Sequence, residues 1–103
     1  MSDRIEKLQR LLENEPNDPF CLYGLAQEYA RIGQHERAIA YFDQTIEVDS
    51  SYCYAYYHKA RSLEAKGDKQ KAVEILEAGL ERAQSLGDDK AAEEISEYLH
   101  ALT

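Results

Sequence analysis

Two cysteines, three histidines, twenty carboxylates and eight tyrosines are the side chains of this 103-residue chain that could carry chemistry. His35, His58 and His100 stand at no spacing that would let them share a zinc ion, which draws four ligands to one point. Each is read as a surface residue, and no metal is expected. Cys21 and Cys53 form no CxxC, and no histidine is placed by sequence to activate either thiol. They are read as small residues packed between helices and reduced in a cytoplasm; a disulfide between them would need the segments that carry them to be neighbours. The adjacent Asp88 and Asp89 suit a helix start better than calcium, which wants alternating oxygen ligands and a distal Glu. Glu36, Glu64 and Glu74 are typical of solvated helix faces, whereas acid–base pairs need a shielded cleft. No GxxxxGK[ST], GxGxxG, GxSxG or HExxH occurs. No catalytic residue and no cofactor is therefore expected, and the protein is read as not an enzyme.

One stretch remains unexplained. In SSYCYAYYHKAR four of the eight tyrosines, Tyr52, Tyr54, Tyr56 and Tyr57, fall within six residues. Such rings build a core or a binding surface, and which of the two depends on the elements that hold them.

The net charge is −8, with 12 basic residues spread along the chain among 20 acids. A phosphate-tracking surface needs clustered Lys and Arg, so neither nucleic acid nor an anionic membrane is an expected partner. The acidity serves solubility. No apolar run is long enough to span a bilayer, and MSDRIEKLQRLL has no basic start followed by an apolar block. A cytoplasmic protein of one domain is expected.

A shift of 34 residues brings the chain onto itself. Ile5, Ile39 and Val73 coincide, as do Leu8, Phe42 and Leu76, and then Leu12, Ile46 and Leu80. Leu22 meets Tyr56, Ala26 meets Ala60, Tyr29 meets Leu63, Gly33 meets Gly67 and Ala38 meets Ala72. A fixed period of this size marks stacked helical units. Within a unit, Leu22, Leu25, Ala26 and Tyr29 recur at helical spacing after Asp18 and Pro19, a cap and a first-turn residue. Gly33 breaks the helix where the backbone turns left-handed, and Ala38, Ile39, Phe42 and Ile46 form a second stripe. In VDSS, Asp49 or Ser50 is placed to cap the next helix. Six helices are predicted near 3–14, 19–32, 35–48, 53–66, 69–84 and 89–102. They divide into a half unit (3–18), two full units (19–52 and 53–86) and a terminal helix (89–102) whose register requires about two extra residues in SLGDD.

These columns resemble the tetratricopeptide repeat. Its pattern reads as Leu22, Leu25, Ala26, Tyr29, Gly33, Ala38 and Phe42, with Ser50 at the proline site. The second unit has Tyr56, Lys59, Ala60, Leu63, Gly67, Ala72 and Leu76. The resemblance covers nearly the whole chain and implies an all-α fold, a right-handed superhelix of antiparallel helix pairs. Three features depart from the pattern. Trp is absent. Lys59 stands where Leu is frequent, with a stem able to pack while its ammonium reaches water. Gly79 replaces a usual Ala, at a cost unless close packing requires it. The first helix lacks a preceding partner, so Leu8 and Leu11 should leave apolar surface bare there. In the last helix Glu93, Glu94, Glu97 and His100 lie off the Ile95–Leu99–Leu102 stripe, a polar outer face fit for a cap.

In this family the first helix of each pair lines a groove. Tyr56 then occupies a core site, and Tyr52 belongs to the turn between units. The groove stripe reads Phe20, Tyr23, Gly24, Gln27 and Arg31 in one unit and Tyr54, Tyr57, His58 and Arg61 in the next. Aromatic rings beside Arg are the composition of binding hot spots. The resemblance thus implies a non-catalytic protein–protein interaction module that takes a protein or extended peptide on Phe20, Tyr23, Gln27, Arg31, Tyr54, Tyr57, His58 and Arg61. One alternative is that these rings only pack on one another. Another is a structural module that self-associates as a homodimer through its terminal helices. Some members hold peptide carboxylates with a Lys, Asn, Asn, Lys, Arg set. The corresponding Tyr23, Gln27, His58, Lys90 and Glu94 match only at Lys90, so chaperone tails are not expected to bind by that route.

Overall fold

The computed structural model describes residues 3–103. Six α-helices follow one another: α1 (Asp3–Asn14), α2 (Pro19–Arg31), α3 (His35–Val48), α4 (Cys53–Ala65), α5 (Lys69–Leu86) and α6 (Asp89–Leu102). The described residues include no strand, and no helix among them is long and apolar enough to cross a membrane. Each helix packs on its neighbours in sequence, and beyond that α2 touches α4 and α4 touches α6. Alternate helices α2, α4 and α6 therefore share one layer. This local stacking is how a repeat unit buries a face that it cannot bury alone.

The helix starts are written in single carboxylates. Asp18 accepts hydrogen bonds from the backbone N–H of Phe20 at 2.9 Å and of Cys21 at 3.4 Å. Asp68 accepts from Lys71 N at 3.2 Å, and Asp88 from Ala91 N at 3.1 Å. These are the donors a helix N-terminus leaves unpaired. The start of α4 differs from the expected cap by Asp49 or Ser50. Asp49 accepts instead from Ser51 N (3.0 Å) and Ser51 Oγ (2.5 Å), tightening the turn. Ser50 is clasped from α5 and α4: its carbonyl accepts from Arg82 Nε at 3.2 Å and Tyr56 OH at 3.3 Å, and its Oγ from Arg82 Nη2 at 3.0 Å. The turn is thus held by tertiary contacts where a local cap was anticipated.

Gly33 and Gly67 take φ of +81° and +88°, the conformation that lets Gln34 N reach Tyr29 O and Asp68 N reach Leu63 O, both at 2.9 Å. The helices α2 and α4 end one residue before the predicted bounds, and α5 runs two residues beyond its own. At 18 residues against 14 for α3, α5 absorbs the extra residues of SLGDD as helix.

Most of the 34-residue columns lie in the core or against it. Ala26, Ala38, Ala60 and Ala72 are fully buried, as are Ile5, Leu25, Phe42, Leu76 and Ile95. Small residues at the crossings let the helix backbones approach. The ring of Tyr29 lies between helices: Tyr41 stacks on it at 5.7 Å, the Arg37 guanidinium sits 5.5 Å from its centroid, and its hydroxyl accepts from Gln9 Nε2 at 3.3 Å. Lys59 does as its stem and charge suggest, bonding Asp43 Oδ1 at 2.5 Å. On α1, Ile5 and Leu8 are buried but Leu11 is 53% exposed, so apolar surface is bare there. Cys21 and Cys53 are buried free thiols. Burial pushes both thiols up in pKa, and the Cys21 S–H, 3.5 Å from Asp18 Oδ2, is raised further by that carboxylate. Both shifts disfavour the thiolate, the reactive form of cysteine.

Candidate functional site

Helices α2 and α4 meet α3 around a cavity of about 310 Å³. Gln27, Ala30 and Arg31 of α2, His35 and Phe42 of α3, and His58, Arg61, Ser62 and Ala65 of α4 line it. Helical spacing explains the grouping. Gln27 and Arg31 lie one turn apart on α2, and His58, Arg61 and Ser62 are spaced three and one on α4.

Four of the eight predicted residues, Gln27, Arg31, His58 and Arg61, thus meet at one cavity. Tyr23 and Tyr57 flank it, with ring centroids 5.8 and 5.2 Å from that of His58. Tyr23 also touches Phe42 at 5.9 Å and Tyr52 at 4.7 Å, and its hydroxyl accepts from Gln27 Nε2 at 3.2 Å. Tyr52, expected in the turn between units, stands at the N-cap of α4 and adds its ring to this set. Tyr56 is buried, as a core site requires. Tyr54 belongs to another neighbourhood, beside Glu94 of α6.

Gly24 is not where the stripe put it, and Phe20 stands apart from the other rings. Phe20, in the first turn of α2, is 64% exposed and shares no ring contact with the others among the described residues. A Cβ on Gly24 would lie 3.2 Å from Leu8 Cδ1, so this position faces α1. Three other residues were read as outward and are not. His35 is half-buried, its Nδ1 3.2 Å from Ser62 Oγ. His58 is half-buried as well, which leaves His100 as the exposed histidine. Glu94 is half-buried and its charge acts on both Tyr54 and His58. Tyr98 completes the α4–α6 side: its hydroxyl donates to Glu64 Oε1 at 2.6 Å and its ring lies 5.2 Å from Tyr57. Burial and the Glu64 carboxylate keep this phenol protonated, and burial with neighbouring tyrosines does the same for Tyr23.

Burial, and secondarily the Arg61 guanidinium, hold the His58 imidazole below its ordinary pKa, with Glu94 opposing. The folded state therefore binds this proton less readily than the unfolded chain. Its contribution to stability is complete above the unfolded value of about 6.5 and is lost as pH falls through the folded value. Denaturant midpoints should drop between pH 7.5 and 5.5, and His58→Gln should show a smaller drop. An equal drop in the variant would remove His58 from the account.

Models of the tetratricopeptide repeat match residues 7–40 and 54–86. A tetratricopeptide repeat domain protein from Salinibacter ruber superimposes with a TM-score of 0.78 at 31% identity, over 84% of this chain and 88% of that one. The chain belongs to the tetratricopeptide repeat family. The TPR repeat-containing protein PA0015 of Pseudomonas aeruginosa is 29% identical over 98 residues, which is 95% of this chain and 93% of that protein. Superkiller protein 3 of Saccharomyces cerevisiae is 40% identical over 76 residues, but these make up 5% of its length. The TPR2B domain of yeast Sti1, solved as a complex with pHsp70, shares the fold with a TM-score of 0.88 at 22% identity, over 95% of this chain and 78% of that one.

Proposed function

We propose that this tetratricopeptide repeat protein is a non-catalytic interaction module that takes a protein or extended peptide in the groove formed by α2, α4 and α6. The observation that carries the reading is the convergence of Arg31, Arg61 and His58 on one cavity flanked by the Tyr23 and Tyr57 rings. Aromatic rings supply contact area with few rotors, and Arg supplies planar, bidentate pairing. The Sti1 domain, of the same fold, is held in a complex with pHsp70, which supports a polypeptide as the class of partner.

Changing Tyr57 and Arg61 together to Ala should lower partner recovery from native lysate at least tenfold, the scale of one or two hot-spot residues, with an unchanged helical circular-dichroism signal. Undiminished recovery by the folded double variant, quantified by mass spectrometry, would sink the groove as the binding surface.

A further inference from the structure

The cavity between α2, α3 and α4 has a charge make-up unlike the rest of the molecule. Acids outnumber bases 20 to 12 in the chain. Three other cavities each include carboxylates: Asp43 and Glu74 in one, Glu15 and Asp18 in the second, Glu81 in the third. The 310 Å³ cavity is lined by Arg31, His35, His58 and Arg61, and by no carboxylate. Arg31 bonds Glu28 Oε1 through one Nη at 3.0 Å, and a guanidinium has five donors in all. Arg61 makes no ion pair among the described residues. His35 is tied to Ser62 Oγ through Nδ1, which leaves Nε2 for another partner. The rings of Tyr23, Phe42 and Tyr57 surround that of His58.

We propose that this cavity binds a phosphomonoester dianion, borne on a phosphorylated side chain or on a free small molecule. The proposal rests on the groove reading and names the group that the groove selects. A carboxylate carries one charge on two oxygens, and a single guanidinium fork satisfies it. Two guanidiniums supply two positive charges, more than one carboxylate balances, and the two imidazoles add further hydrogen-bonding nitrogens around one small cavity. A phosphomonoester presents three terminal oxygens and about −1.5 to −2 charges near neutrality. The cavity volume, at the low end of ligand sites, is ample for such a group.

The pH response separates phosphate from carboxylate. His58 faces Arg61 on its own helix, Tyr23 from α2, Phe42 from α3 and Glu94 from α6. A dianion beside it offsets the Arg61 effect that depresses its proton affinity, so binding takes up a proton. Affinity then rises as pH falls from 8 toward about 6.5, and declines below about 6 as the phosphate itself becomes a monoanion. A carboxylate keeps its charge to about pH 4 and shows no such decline in that range.

The test titrates the whole chain with methyl phosphate, acetate and N-acetyl-phosphoserine amide at constant ionic strength, followed by the NMR signals of the histidine rings. Methyl phosphate should shift His35 and His58 saturably at low millimolar concentration, and Arg61→Gln and Arg31→Gln should each weaken it at least fivefold while the spectrum stays dispersed. Tighter binding of N-acetyl-phosphoserine amide than of methyl phosphate assigns the site to phosphorylated protein. Equal binding assigns it to a free phosphomonoester. The proposal is overturned if acetate binds as well as methyl phosphate, if the shifts grow linearly without saturation, or if they persist undiminished in both Gln variants. Failure here with partner recovery still lost in the Tyr57 and Arg61 double variant leaves the groove reading standing. Saturable phosphate binding with undiminished recovery reverses that outcome.

Discussion

Phe42→Ala should cost about 3–5 kcal/mol, the range for removing a fully buried aromatic ring. Phe42 is 0% exposed and belongs to the core cluster that joins α1, α2, α3 and α4. Its ring meets Tyr23 at 5.9 Å and stacks near His58 at 6.3 Å with a 17° tilt, and it contributes to the wall of the 310 Å³ cavity. A chain of this size has a total stability of about 5–15 kcal/mol, so the loss is a large fraction of it. Because each unit contacts only its neighbours, no distant core compensates. The melting temperature should fall by more than about 10 °C. Phe42→Leu leaves a smaller gap than Ala and should cost clearly less than Phe42→Ala, while removing the ring face against His58. The pair therefore separates packing from recognition: Ala reports the core, and Leu, if folded, reports the cavity. A Phe42→Ala variant that melts within a few degrees of the wild type would contradict the placement of this ring at the centre of the stack.

The 34-residue columns made the core legible because burial in a stacked array repeats with the unit. Ala26 and Ala60, or Ala38 and Ala72, are small in sequence and fully buried in the fold for one reason: two helix backbones cross there. Half of the candidate site was legible by the same logic, since helical spacing alone groups Gln27 with Arg31 and His58 with Arg61. The rest depends on which flank of a helix meets which neighbour. Gly24 lies on the same stripe as Tyr23 and Gln27 but turns toward Leu8, and Phe20 lies in the first turn, beyond the reach of the rings around His58. His35 is expected on the surface at the start of a helix, and only the fold brings its ring to Ser62, 27 positions away. On α6 the allowance of two extra residues already aligns Glu94 with the groove positions, but Tyr98, one turn further on, goes unnamed. Their register is offset by 36 residues and not 34: Ala91 pairs with Ala55, both fully buried, which sets Tyr98 against Ser62 and Glu94 against His58.

Gly79→Ala carries the second large prediction, and its value lies in its sign. By helix propensity alone, replacing a glycine inside α5 should stabilise by about 0.5–1 kcal/mol. The structure argues the reverse. A Cβ at Gly79 would stand 2.7 Å from Tyr56 Cβ, 3.1 Å from Tyr56 Cγ and 3.4 Å from Ile95 Cδ1. The nearest of these atoms is fixed to the α4 backbone, so the clash is relieved only by separating two helices. Overpacking of this kind costs about 1–3 kcal/mol, which outweighs the propensity gain. We expect a net loss of about 1–2 kcal/mol and a fall in melting temperature of roughly 4–16 °C. The same position is Thr45 in the preceding unit, buried with its hydroxyl on Tyr41 O at 2.8 Å, and the Tyr56 column there holds the smaller Leu22. Glycine is thus matched to the tyrosine it faces. Truncating the ring in Tyr56→Leu should not rescue Gly79→Ala, because leucine retains the Cβ that the new methyl meets. Rescue by that truncation would place the conflict at the ring instead of the backbone approach. A rise in melting temperature for Gly79→Ala alone would mean that α4 and α5 have room to part, and that propensity sets the residue at this column.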